Sequence, residues 1–139
     1  MQPRYELFDH TADIGVRVWA PTMPELLRPA TDGLYAVIGE LHADTDPRVE
    51  QYDLAGLDAA LLLRDYLAES LVLFERGRRL ITALEVHEFS DHRLRATARS
   101  CALNEAQSEF SREVKAVTYH ELAIRAVPDG YEATYIVDI

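Results

Sequence analysis

The sequence predicts one α+β domain over residues 1–139, with mixed, largely antiparallel sheets and two α-helices packed on them. Three observations lead there. Alternating apolar and polar runs open and close the chain. Two stretches between them carry apolar residues at helical spacing, each behind a capping residue. Asp129-Gly130, between the last two alternating runs, is a hairpin signal. The resulting order is strands, helix, strand, helix, then strands.

A first strand is expected at Tyr5–Phe8 and a second at Ile14–Ala20, where Ile14, Val16, Val18 and Ala20 share a face opposite Arg17 and Trp19. Thr22 and Glu25 form a capping-box pattern with Pro24 in the first turn. Leu26, Leu27, Ala30, Leu34, Val37, Ile38 and Leu41 then make the stripe of a first helix. Pro29 inside it removes a backbone donor, so a kink or irregular turn is expected there. His42–Arg48 reads as a loop and Val49–Leu54 as a strand. Asp58 caps a second helix reaching about Arg76 and closed by Gly77. Its apolar residues, Leu61 to Phe74, cover most of its circumference, which places it between layers. The remainder reads as strands at Leu80–Phe89, Arg93–Arg99, Val114–Val127 and Tyr131–Ile139. The third is long enough to bend or to cross between sheets.

Composition narrows the functional classes. No run of eighteen apolar residues suggests a membrane helix, and MQPRYELFDH does not resemble a secretory signal. The lone Cys101 permits neither an intrachain disulfide nor a cysteine zinc site. A cytoplasmic protein is expected. The net charge of −10 either simply aids solubility or opposes direct contact with nucleic-acid phosphates; if the protein works near RNA, it is expected to do so through a protein that holds the RNA. Nucleotide loops of the GxGxxG or GxxxxGK[ST] type, a GxSxG elbow and zinc spacings are missing.

Ionisable residues concentrate in DHTADIG (9–15), REVKAVTYHEL (112–122) and the final YIVDI (135–139). Asp13 starts one strand and Asp138 ends another. If these strands are antiparallel neighbours, the two aspartates and the Ile139 carboxylate gather hard oxygens suited to Ca²⁺ or Mg²⁺. The competing reading is two solvated strand-end aspartates. Asp9 and His10 can do acid–base work, though adjacent strand residues face opposite ways. Lys115, with Tyr119 and His120 on the same expected strand, presents an ammonium to a phosphate or a partner carboxylate, or guards a sheet edge. Arg93, Arg95 and Arg99 make a basic stripe, either a phosphate contact or a solvated face.

DHTADIG, EVKAVTYH at 113–120 and the ending VDI, with LLRDYLAESLVLFE at 62–75, together resemble the archease family over essentially the whole chain. That resemblance implies a non-enzymatic activator of an RtcB-type RNA ligase, promoting guanylylation of the ligase histidine and multiple turnover in tRNA splicing and RNA repair. It implies a divalent metal, Ca²⁺ with Mg²⁺ as the alternative, on Asp13, Asp138 and Ile139, and an activating role for Lys115, with Asp9 and His10 beside it. RNA would be met only through the ligase, and no membrane is involved. The chain departs from many members in carrying Gln107, Ser108 and Glu109 where they have a histidine. The rival readings are a metal-dependent phosphoesterase or nuclease using Asp9, His10, Asp13 and Asp138, and a chaperone-like interaction module.

Overall fold

The computed structural model describes all 139 residues. The chain begins with an antiparallel hairpin of β1 (Arg4–His10) and β2 (Asp13–Ala20), closed by Thr11 and Ala12. A 3-10 turn, Pro24–Leu26, leads into α1 (Leu27–Ile38). β3 (Gly39–Glu40) and β4 (Arg48–Ala55) precede α2 (Ala59–Gly77). β5 (Arg79–Phe89), β6 (Arg93–Ala102) and β7 (Glu109–Phe110) follow. β8 (Ala116–Val117), β9 (Ala123–Val127) and β10 (Gly130–Asp138) complete the fold. Every ladder is antiparallel.

The first sheet runs β1-β2-β10, with β8 and β9 both pairing along the far edge of β10. The second runs β4-β6-β5, and β3 pairs with β7 in a small ribbon. α1 lies against β1 and β2, and α2 against β4, β5 and β6. α2 also touches α1, β8 and β9, so it packs between layers as expected, but it keeps a solvent face on which Val72, counted in its apolar circumference, is 44% exposed beside Glu69 and Glu75. Val16, Val18, Ala20, Ala133, Tyr135 and Val137 point from the first sheet into one core of 30 buried residues shared with both helices. Leu62, Leu63 and Leu67 of α2 are essentially inaccessible. Each such side chain contributes roughly 1.5–3 kcal/mol of burial.

Four tyrosines brace this core, each with its hydroxyl satisfied, as burial demands. Tyr135 donates to the Ala30 carbonyl at 2.7 Å, tying β10 to α1. Tyr66 meets Thr31 Oγ1 at 2.7 Å, tying α2 to α1. Tyr35 accepts from the Ile81 amide at 2.9 Å, covering an edge-strand donor of β5. Tyr52 pairs with Ser70 at 3.1 Å and packs edge-on against Tyr66. Burial pushes all four phenols above the ordinary tyrosine range.

Several expectations need correction. The run 114–127 is not one strand. It pairs with β10 as β8, leaves the sheet over 118–122, and returns as β9. Continuing the register beyond Val117–Val137 would set His120 opposite Thr134, but Ala123 stands there, so three residues are looped out. Thr118 drives the departure: its amide and hydroxyl both donate to Ile136 O (2.9 and 3.0 Å), and its Oγ1 accepts from the His120 amide at 3.2 Å. Pro29 causes no kink, because α1 starts at Leu27 and Pro29 stands in its first turn, where amides lack helical acceptors. The irregular turn lies just ahead of it. α1 stops at Ile38, before Leu41. The left-handed residue closing α2 is Arg78, not Gly77. It is held there by a 2.8 Å bond to Glu105 and by its guanidinium lying near Phe74 and Phe110. In the last hairpin the two loop residues are Pro128 and Asp129. Gly130 is needed because a Cβ there would collide with the Ala20 carbonyl.

The tyrosines give an alkaline limit to stability. Their folded pKa values are raised, so the stabilisation is complete below the unfolded tyrosine value near 10 and declines as pH climbs above it. In a spectrophotometric titration, these four of the seven tyrosines are expected to ionise only together with loss of the far-UV circular dichroism signal. Ionisation of all seven before unfolding would contradict the clasp.

Candidate metal and partner site

The ends of β1, β2, β10 and β8 meet at one tip of the first sheet. His10 is paired with Asp13. Ile14 is paired with Val137, so the next step along the ladder sets Asp13 beside Asp138. Asp138 is paired in turn with Ala116, and the Lys115 amide donates to the Asp138 carbonyl at 2.8 Å. Directly opposed residues in an antiparallel sheet point to the same face. His10, Asp13, Asp138 and Ala116 therefore form one row, on the face turned away from α1. The fold thus brings the first and last motifs together, as the strand-neighbour expectation required.

Burial grades along this row. Asp13, Asp138 and His10 are half-buried, and Lys115 is exposed. The side chain of Ile139 packs against the core, which anchors its main-chain oxygens close to Asp138. His10 Nε2 lies 2.7 Å from Glu121 Oε2, while its buried Nδ1 has no partner in the protein. Asp9 does not join the row. It pairs with Ile14 and so belongs to the opposite face, exposed to solvent. The four-residue cluster of the phosphoesterase reading is therefore split between faces. Tyr119 and His120, expected on a strand with Lys115, lie on the looped-out 118–122 segment, and Lys115 immediately precedes β8.

That segment is fastened from three sides. Arg64 of α2 donates through Nε to Val117 O at 2.9 Å, and its guanidinium lies 4.4 Å from the Tyr119 ring centroid. Thr118 holds Ile136 O, as described. Glu121, in the left-handed region at φ 50°, turns back to His10. Arg64 and Glu121 were not singled out from the sequence. Arg64 sits within a helix whose apolar pattern drew attention away from its charges. Glu121 depends on a register break that no local pattern announces.

The outward face beside the row is equally organised. The Phe8 ring lies directly over Gly15, where a Cβ would collide with it. Arg17 stacks on Phe8 at 4.5 Å, and Arg4 stacks on Trp19 at 3.8 Å. Trp19 Nε1 donates to Glu132 at 2.9 Å, which also receives Arg125. Gly15 of the DHTADIG motif thus serves as the floor for an aromatic ring, and its ladder partner Ile136 is fully buried outside the main core.

Nowhere do three carboxylate, imidazole or thiolate side chains converge as a metal-holding group. The row supplies two carboxylates, so main-chain oxygens of Ile139 and water would have to complete a shell of six to eight oxygens. The set is all hard oxygen, which suits Ca²⁺ or Mg²⁺, and two carboxylates side by side favour a positive counter-charge. Elsewhere the arginine stripe is a solvated face: Arg93 grips Asp53 through two 3.0 Å bonds and holds that carboxyl below its usual range. No helix is long and apolar enough to cross a membrane.

Comparisons with known proteins agree with this architecture. Residues 5–139 match the model of the Archease protein family (MTH1598/TM1083). The chain is 33% identical to protein archease of Methanopyrus kandleri over 97% of its own length and 99% of that protein. It is 31% identical to protein archease of Thermococcus gammatolerans, covering 98% and 99% of the two. The solution structure of protein 1598 from Methanobacterium thermoautotrophicum superposes with a TM-score of 0.71 at 25% identity, over 97% of this chain and 98% of the other. A crystal structure of an archease from Thermotoga maritima, described as a possible chaperone, gives 0.74 at 21% identity over 96% of each.

The Phe8–Gly15 contact predicts a coupled pair. Gly15→Ala is expected to destabilise the protein in chemical denaturation, by roughly 1–3 kcal/mol for overpacking. In a Phe8→Ala background the same substitution should cost markedly less. Equal costs in both backgrounds would show that the ring does not impose the glycine.

Proposed function

We propose, because the chain belongs to the archease family, that it is a non-enzymatic activator of an RtcB-type RNA ligase. On this reading it promotes guanylylation of the ligase histidine and multiple turnover in tRNA splicing and RNA repair. The observation that carries the reading is the row joining His10, Asp13 and Asp138, with Lys115 hydrogen-bonded at its edge. Motifs from opposite ends of the chain meet in one exposed tip. A tip of that form suits insertion into a partner's active-site mouth better than enclosure of a substrate.

Each residue has a distinct task in this reading. Asp13, Asp138 and Ile139 would hold a divalent cation, Ca²⁺ in the first instance, which offsets the charge of the paired carboxylates and fixes their positions at the tip. Lys115 offers a mobile ammonium to a phosphate or carboxylate of the ligase. His10, joined to Glu121, fastens the looped-out segment against the tip. Asp9 borders the site from the other face of β1 and meets the partner at its margin. Activation then consists of favouring the ligase state competent for guanylylation, through contacts that state alone offers. The net charge of −10 supports contact with RNA through the ligase only. The reading places the protein in the cytoplasm. The phosphoesterase reading is disfavoured by Asp9 lying on the opposite face from the row.

Two measurements bear on this. With catalytic amounts of the cognate ligase and GTP, the wild-type protein should raise product from about one per ligase to many. Asp13→Ala and Lys115→Ala should return it toward one, with unchanged circular dichroism. Wild-type behaviour by both variants rejects the assigned roles, and phosphoester turnover by the isolated protein rejects the non-enzymatic assignment. Separately, Ca²⁺ at about 100-fold its dissociation constant should stabilise the wild-type protein against thermal unfolding by about 2.7 kcal/mol. Asp13→Asn and Asp138→Asn should abolish that gain, and its persistence in both would remove the cation from this site.

A further inference from the structure

A cleft of about 690 Å³ lies between the C-terminal ends of α1 and α2 and the segment 110–115, with Lys115 at its border. Ile38, Leu71, Phe74 and Val114 make its floor. Phe110, 49% exposed, is a side wall, backed by the Arg78 guanidinium, which lies near both Phe74 and Phe110. Main-chain bonds from Ser111 and Arg112 to the Ile38 carbonyl, and from Arg112 Nη1 to Val37 O, pin the segment to the end of α1. Arg112 and Lys115 stand at the rim, and neither lies within ion-pair distance of a carboxylate, although Glu75 and Glu113 also border the cleft. Arg112 gives one guanidinium nitrogen to Val37 O, which leaves its remaining donors and the Lys115 ammonium without a carboxylate partner; in a chain with ten more acidic than basic groups, such cations at an apolar opening suit an outside anion.

We propose that this cleft is a second docking site for the ligase, seating an apolar side chain of the partner whose neighbouring acidic residue meets Arg112 and Lys115. The proposal rests on the activator reading, and deepens it: Lys115 becomes the hinge between tip and cleft, so one partner can engage both. An exposed aromatic beside a pre-formed apolar floor has the anatomy of a binding hot spot, and the rim charges select the orientation of the incoming segment.

The test is the affinity of the cognate ligase, together with its turnover number, for wild type, Phe110→Tyr, Phe110→Ala and Arg112→Gln. Phe110→Tyr should bind like wild type, whereas Phe110→Ala and Arg112→Gln should weaken binding about tenfold, as hot-spot truncations do. Saturating protein should restore turnover, because the tip is intact. Unchanged affinity in both weakened variants, with wild-type protein activating normally, overturns the cleft proposal and leaves the activator reading standing. A wild-type protein that neither binds nor activates the ligase overturns both. A photoreactive benzophenone side chain at position 110 gives a readout independent of variant folding. Crosslinking should map to a ligase segment with an apolar residue next to an acidic one. Crosslinking only to a second copy of this chain would assign the cleft to self-association and sink the proposal.

Discussion

The pairing of β2 with β10 is the constraint on which the rest depends. It places the first hairpin beside the last strand and sets Val16, Val18, Ala133 and Tyr135 into the core as one surface. It also fixes where Asp13 and Asp138 stand. Because side chains alternate with a period of two, a one-residue slip of β10 against β2 would turn Asp138 into the core and push Tyr135 outward, leaving Asp13 without its neighbour. The fold therefore specifies the aspartate row with the same free energy that specifies the core. Tyr135 adds a second lock by reaching α1 at the Ala30 carbonyl, so the strand cannot slide without losing a buried hydrogen bond.

The looped-out segment 118–122 is the least regular part of this arrangement, and it is held by groups from three other elements. Arg64 comes from α2, His10 from β1, and the Ile136 carbonyl from β10. A two-residue strand such as β8 has little ladder of its own, so these attachments position Lys115 and Ala116. The tip is thus supported from the helix layer as well as from the sheet. Ile136, on the outward face of β10 and paired with Gly15, is fully buried outside the main core.

Much of the architecture was legible in the sequence because local and global preferences agree there. The alternation in Ile14–Ala20, the Asp58 cap and the Leu-rich circumference of α2 each describe an element that tertiary packing then uses unchanged. The cap shows it directly, with Asp58 Oδ1 accepting from the Leu61 amide at 2.9 Å. What was not legible depends on contacts between distant residues. The break between β8 and β9 comes from Thr118 bonding Ile136, and the left-handed turn at Arg78 from Glu105 and two phenylalanines. Neither leaves a local periodic trace. Within the candidate site, Asp13 and Asp138 followed from strand order. The separation of Asp9 onto the other face needed the register itself, and Glu121 needed the register break.

The meeting of β2 and β10 has a temporal corollary. Trp19 and Glu132, bonded across that ladder, are 113 positions apart, so the contact closes a very long loop. During synthesis the hairpin, both helices and the second sheet can form while the aspartate row is still missing one half. The two aspartates are therefore neighbours only in a molecule whose β10 has docked beside β2. The geometry of the tip is in this way a readout of whether the core behind it is closed.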